Sequence, residues 1–468
     1  MRSTPNRPPR PSLPAALLAA VALAIVGTVA VAARTHGRAD AVDDAVRTAA
    51  AAARSATDDP APPSPYIWPS GPPADPTYFP IAVWLQSPSN AQAFAALGIN
   101  LFIGLWEGPT DAQLDALTLA GMPVIADQND VALARRGAST ATGRILQGWM
   151  QQDEPDNAQS DGQGGWGPCV DPAEIIARYE RMKAADPDRP VWLNLGQGVA
   201  WDLDRPYYGR GSACAGRWDQ YREYVKGADI VSFDIYPVTS PDAPITGDLS
   251  RVALGVDRLR EWTEGEKIVW NVVETTHIGA EVRPTPAQLR AEVWMSLVHG
   301  SMGIVYFVHE WFPRFREPAL LDYPDMRAAV TDLNRQIRDL APVLNSPSVD
   351  RVVAVAPDDP SRRVDVMVKR TGGWLYVLSV AMTDDPSDVT FRIDPAVLSP
   401  DVVDGAGVEV IDEGRTVALV DGSFRDAFGG YGVHLYRVRI RPLTPTTPEP
   451  ESTPATTSWR LVLPWLQR

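Results

Sequence analysis

Leu146-Gln147-Gly148-Trp149-Met150-Gln151-Gln152-Asp153-Glu154-Pro155 begins as a short uncharged run and ends in two carboxylates and a proline. A run of this kind, set between helical segments, reads as a strand of a parallel sheet covered on both faces. Similar runs lie on either side of it. They cover 80–85, 100–105, 122–126, 145–150, 191–195, 229–235, 267–273 and 303–308. Amphipathic segments alternate with them at 89–97, 111–120, 130–136, 172–185, 217–226, 247–263, 285–300 and 325–343. Within 247–263, Leu249, Val252, Val256, Leu259 and Trp262 recur close to helical spacing. Thr285-Pro286 places a cap residue before a proline at the first helical position. Eight strands with helices between them predict an α/β fold, a (β/α)8 TIM barrel over 77–346. An open doubly wound sheet would carry a Gly-rich phosphate loop after its first strand, and none is present.

The pattern changes after 346. Short alternating runs at 351–355, 363–369, 374–380, 389–393, 408–411, 417–420 and 433–440 are separated by turn residues such as Gly372-Gly373 and Gly429-Gly430. They predict a small antiparallel β-sandwich over 347–441, packed against the barrel or binding sugar itself. Residues 442–468 are Pro/Thr-rich and read as a tail. At the other end, Arg2, Arg7 and Arg10 precede an uncharged apolar run from Leu13 to Ala33. That arrangement predicts a single-pass membrane anchor over 1–34 with the body outside the cytoplasm. Ala30-Val31-Ala32 offers a cleavage site, so a secreted form is the alternative. An Ala/Pro-rich spacer follows over 35–76.

The net charge of −15 argues against nucleic acid as a partner, because phosphate binding needs a basic surface. Five His without a close pair predict no metal site, and nothing calls for a cofactor. Fifteen Trp is a high count, and a flat indole face stacks well on a sugar ring. Cys169 and Cys214 are too few for a thiolate zinc site, and in an exported chain they predict one disulfide.

Chemistry in such a barrel sits where strands end at their C-terminal edge. Strand four ends in Asp153-Glu154-Pro155 and strand seven in Val273-Glu274-Thr275. Two carboxyl groups facing each other are what glycoside cleavage needs, one protonated and one charged. Strand six ends in Ser232-Phe233-Asp234-Ile235-Tyr236-Pro237 and strand eight in Phe307-Val308-His309-Glu310-Trp311. On these residues the chain resembles clan A of the glycoside hydrolases, a group of retaining barrel enzymes. The resemblance covers roughly 78–345 and implies Glu154 as acid/base and Glu274 as nucleophile. It implies that Tyr236 orients Glu274 and that Trp311 is a platform under the sugar. Asp153 departs from the Asn usual in the clan: an ionised Asp accepts where Asn donates, and it puts a second negative charge beside Glu154. Trp84, Trp106, Asn194 and His309 stand at strand ends as further lining residues, with Asp234, Glu107 and Glu310 as alternative carboxylates. The expected function is hydrolysis of a β-linked extracellular or cell-envelope glycan, an oligo- or polysaccharide. The alternatives are transglycosylation and a catalytically silent carbohydrate-binding protein on the same fold.

Overall fold

The computed structural model describes residues 64–202, 214, 216–278, 280–398 and 407–440. The expected anchor, the spacer up to residue 63 and the tail lie outside the described residues. Among the described residues no helix is long and apolar enough to cross a membrane.

Eight parallel strands make the barrel. They are β1 (Ile81–Trp84), β2 (Leu101–Ile103), β3 (Val124–Asp127), β4 (Leu146–Met150), β5 (Val191–Leu195), β6 (Ile230–Phe233), β7 in two pieces (Ile268–Val269 and Asn271–Glu274) and β8 (Ile304–Phe307). Neighbours in sequence are neighbours in the sheet, and β8 returns to β1 with Ile304 opposite Ile81. The break in β7 falls where the circle closes. Its first piece pairs with β6 (Ile268 opposite Ile230) and its second with β8 (Asn271 opposite Ile304).

Side chains alternate between two apolar layers, as the pleat requires. Trp84, Ile103, Met150, Trp192, Trp270, Val272, Val305 and Phe307 fill the barrel interior. Val83, Phe102, Val124, Trp149, Val231, Val273 and Tyr306 pack outward under the helices. Both faces are buried, so each strand reads as an unbroken apolar run instead of an alternating one. The helix Pro286–Val298 starts as its sequence demands: Thr285 Oγ1 accepts from the Gln288 amide, and Pro286 occupies the first turn. The helix Ser250–Trp262 lies close on β6, where a Cβ on Gly255 would sit 2.1 Å from the Phe233 ring. The expected helix over 217–226 is shorter, a single turn at Tyr221–Tyr224 flanked by 3-10 turns.

Residues 64–76, spacer-like in composition, are part of the barrel. Tyr66 is fully buried, donates to the Met302 carbonyl at 2.6 Å and accepts from the Trp270 indole at 3.1 Å. It closes the floor at the N-terminal ends of the strands. Composition missed this because one buried aromatic outweighs several surrounding prolines.

Residues beyond the barrel form two antiparallel sheets: β9 (Val353–Pro357), β12 (Ser387–Ile393) and β15 (Ser423–Phe428) against β10 (Val364–Thr371), β11 (Trp374–Ala381), β13 (Gly407–Val410), β14 (Arg415–Ala418) and β16 (Val433–Arg439). Phe391 stacks on Phe424 at 4.7 Å in the core between them. The sequence reading lacked β15. Its Asp426 breaks the apolar alternation, and it is tolerated because Arg415 and the Tyr436 hydroxyl bond it at 2.7 and 2.8 Å. Tyr376, Leu378, Val380 and Leu435 turn the other way and join the layer of barrel helices.

His299 ties the two parts together. Its ring nitrogens meet Asp257 of the barrel at 2.9 Å and Asp365 of β10 at 3.0 Å. Burial opposes its charge, but the two carboxylates outweigh burial and hold its pKa up at about 9. A raised folded-state pKa contributes stability that is complete below the unfolded value near 6.5 and is lost as pH rises through about 9. His299→Gln is expected to cost about 2 kcal/mol in urea unfolding at pH 6 and much less at pH 10. An equal loss at both pH values would contradict the charged bridge.

Candidate active site

The C-terminal ends of the strands surround a cavity of about 580 Å³. Each expected lining residue except Glu274 is on its wall: Asp153, Glu154, Asn194, Tyr236, Trp84, Trp106, His309 and Trp311. Asp234, expected as an alternative carboxylate, lines it as well. Val272 and Phe307 line it from strands seven and eight, and Leu85, Asn157, Gln197, Ile278 and Phe315 complete it without any sequence motif to announce them.

Several backbones at the rim are strained. Leu85, Glu107 and Glu154 have φ of 44°, 51° and 43°, in a region that residues with a Cβ seldom adopt. Such strain persists only where surrounding bonds impose it. For Glu154 the bonds are visible. Its amide donates to the Asn194 carbonyl at 3.1 Å, and its own carbonyl accepts from Gln159 at 3.0 Å. Asp156 accepts from the Gly196 amide at 2.9 Å, which fastens the β4 loop to the end of β5. Gly196 lets the backbone come close: a Cβ there would lie 2.6 Å from Asn157 Nδ2 and 3.2 Å from Glu154 Oε1. Burial, despite the Gly196 amide, pushes Asp156 up to about 6, with the Glu154 charge adding to the rise.

Asp153 accepts from the Asn194 side-chain amide at 3.2 Å, and Asn194 in turn accepts from Ser232 at 2.8 Å. Asp234 lies against Glu154 and near Asp153. Burial, then those two charges, raises its pKa well above the carboxylate range. Burial and the neighbouring Asp234 likewise keep Tyr236 a neutral phenol. Asp234 and Tyr236 are hydrogen-bonding neighbours of each other, with Asp234 Oδ1 and Tyr236 Oη both fully covered. Across the cavity the wall is apolar and aromatic. Trp311 is half-exposed and stacks on Phe307 at 5.4 Å, with Phe315 edge-on to it. Trp106 stands 70% exposed at the rim. His309 meets the Leu85 carbonyl at 3.0 Å, and burial lowers its pKa, favouring the neutral ring.

Glu274 is a correction to the sequence reading. It is fully buried and does not line the cavity. Its carboxyl accepts from the amides of Val238 and Thr239 at 2.6 and 3.0 Å, and Glu292 of the helix Pro286–Val298 is its neighbour. Burial, against those bonds, pushes it up to about 7, and burial together with Glu274 raises Glu292 well above its ordinary value. Tyr236 therefore does not orient Glu274; the loop following Tyr236 is what Glu274 holds. Alternation along β7 put residues 270, 272 and 274 on one face, but the last follows the unpaired amides of the next loop.

Three other expected groups are not on the cavity wall. Glu310 is buried in an ion pair with Arg316 at 2.8 Å, and Glu107 is not on the cavity wall. Cys169 and Cys214 are free thiols and not the expected disulfide. Their sulfurs meet as hydrogen-bond neighbours, and burial and then Cys169 push the Cys214 thiol up to about 12. Among the described residues no group of three or more His, Cys, Asp or Glu side chains could hold a metal ion.

No family model matches the chain, and no curated protein matches it. Among solved structures, an Anoxybacillus alpha-amylase is similar at TM-score 0.43 and 11% identity, over 79% of this chain and 99% of that one. An endoxylanase from Clostridium papyrosolvens gives 0.41 and 12%, over 81% and 98%. An alpha-L-arabinofuranosidase from Thermotoga maritima gives 0.42 and 12%, over 81% and 93%.

Replacing Glu274 by Ala leaves two buried amides without an acceptor. Urea unfolding is expected to show a loss of about 2–4 kcal/mol. A loss below about 0.5 kcal/mol would mean that Glu274 does not hold the loop.

Proposed function

We propose that the chain is a glycoside hydrolase that works in this cavity, with Glu154 as the group that protonates the leaving oxygen and later activates water. The observation that carries the reading is the division of the cavity into two banks. Asp153, Glu154 and Asp234 extend from strands four and six, and Trp84, Phe307 and Trp311 from strands one and eight. Sugars present flat apolar faces and a rim of hydroxyls, so aromatic platforms opposite hydrogen-bonding carboxyls fit them. Proton donation needs a carboxylic acid in a mostly buried position within reach of the bond, and Glu154 is 7% exposed on the cavity wall. The basic residues and apolar run at the N-terminus support a location outside the cytoplasm, tethered to the membrane or released. An envelope or extracellular oligo- or polysaccharide is then the natural substrate.

One observation favours a second reading, a sugar-binding protein without turnover: the carboxylate expected on strand seven is absent from the cavity. Turnover decides between them. A panel of aryl glycosides and cell-wall polysaccharides should include a substrate that the native protein cleaves and Glu154→Gln cleaves at least about 100-fold more slowly. Trp311→Ala should raise KM several-fold and leave the fold intact. Binding without turnover would support the second reading, and full activity in Glu154→Gln would remove the assigned role.

A further inference from the structure

A second cleft, of about 300 Å³, lies between the barrel and the sandwich. Ser301 and Met302, just before β8, line it from the barrel, and Val366 and Lys369 of β10 line it from the sandwich. It therefore sits toward the N-terminal ends of the strands, away from the cavity at their C-terminal ends. Three cations reach its wall: Arg260 of the helix Ser250–Trp262, Arg351 and Lys369. Of the lining residues, Asp350 alone is acidic. None of the three cations forms an ion pair among the described residues. The chain as a whole has the opposite balance, with 58 acidic residues against 43 basic ones.

Lys369 is 5% exposed. Its ammonium donates to the Leu344 carbonyl at 3.0 Å and to that of Ser346, which uses two of its three N–H groups. Arg260 donates to the His299 carbonyl at 2.9 Å. These acceptors are neutral. They satisfy donors, but the helix ends to which they belong offset about half a charge at most. Burial, and then the Arg260 charge, bring Lys369 down to about 8, as expected of a cation held beside another cation in an apolar place. Leu297, Leu344 and Met367 wall the cleft, and apolar walls strengthen any charge pairing inside it. A bound anion would remove the imbalance.

We propose that this cleft binds a phosphate group, with Lys369, Arg260 and Arg351 as its ligands. Three positive charges against that of Asp350 leave an excess of two. A phosphate monoester carries about −1.5 to −2 at neutral pH and balances that excess. A carboxylate carries less and leaves the cleft charged. Guanidinium forks match phosphate oxygens in pairs, and an ammonium adds a point charge. The volume corresponds to about ten waters, so a phosphate fits with a small alcohol attached. The same chemistry has two sources, a lipid head group and a free phosphate. The site shares no residue with the cavity at the other end of the barrel and does not depend on the glycosidase reading.

The test follows thermal unfolding of the full chain as inorganic phosphate is added, with sodium chloride holding the ionic strength constant. Phosphate should raise Tm along a curve that saturates as a single site does. Glycerol 1-phosphate separates the two sources: tighter binding than phosphate marks a lipid head group, and equal or weaker binding marks free phosphate. Lys369→Met should abolish the phosphate response. Arg351 is exposed, so Arg351→Ala should unfold like the native chain in chloride alone and still bind phosphate at least about tenfold more weakly. Arg260→Gln should weaken binding similarly. A Tm that responds equally to phosphate and chloride would overturn the proposal. So would a saturable phosphate response that Arg351→Ala and Arg260→Gln both leave unchanged.

Discussion

Backbone amides and carbonyls at the mouth of the barrel must find partners once the strands end, and side chains from neighbouring strands supply them. Asp156 takes the Gly196 amide, and Glu274 takes those of Val238 and Thr239. Thr275 reaches the Phe307 carbonyl at 2.6 Å, and Thr276 reaches that of His309. A buried amide left unpaired costs as much as a lost hydrogen bond or more, so these duties take precedence over any chemistry. They decide which carboxyl stays in the cavity. Glu274 is committed to the loop, whereas Glu154 is held by its backbone and keeps its side chain on the cavity wall.

The same constraint shapes the electrostatics. With Glu274 withdrawn, the acidic groups of the cavity lie on strands four and six, close enough to resist simultaneous ionisation. Burial and the charges of Glu154 and Asp153 keep a proton on Asp234. The sandwich stands away from this chemistry. It covers barrel helices with Tyr376, Leu378, Val380 and Leu435 and is pinned through His299.

Much of the architecture was legible because parallel strands buried on both faces leave uninterrupted apolar runs. All eight barrel strands coincide with such runs, and Thr285-Pro286 marks a helix start that the structure contains. Strand β15 was hidden by Asp426, whose partners Arg415 and Tyr436 lie elsewhere in the sequence. The site was legible as far as strand ends identify it, which placed Glu154, Asp234 and Tyr236 together. The direction of Glu274 was not, because it depends on Glu292 and on two loop amides that no periodicity reveals. Phe315 and Gln197 reached the cavity through loops, where sequence carries no period at all.

The most direct measurement is a crystal structure of the Glu154→Gln protein with an oligosaccharide bound across the cavity. The expected result places the glycosidic oxygen about 3 Å from the residue 154 side chain, with the carboxyl of Glu274 still on the amides of Val238 and Thr239. A structure with Glu274 turned inward, its oxygen about 3 Å from the anomeric carbon and its loop bonds broken, would contradict this assignment of the two carboxyls.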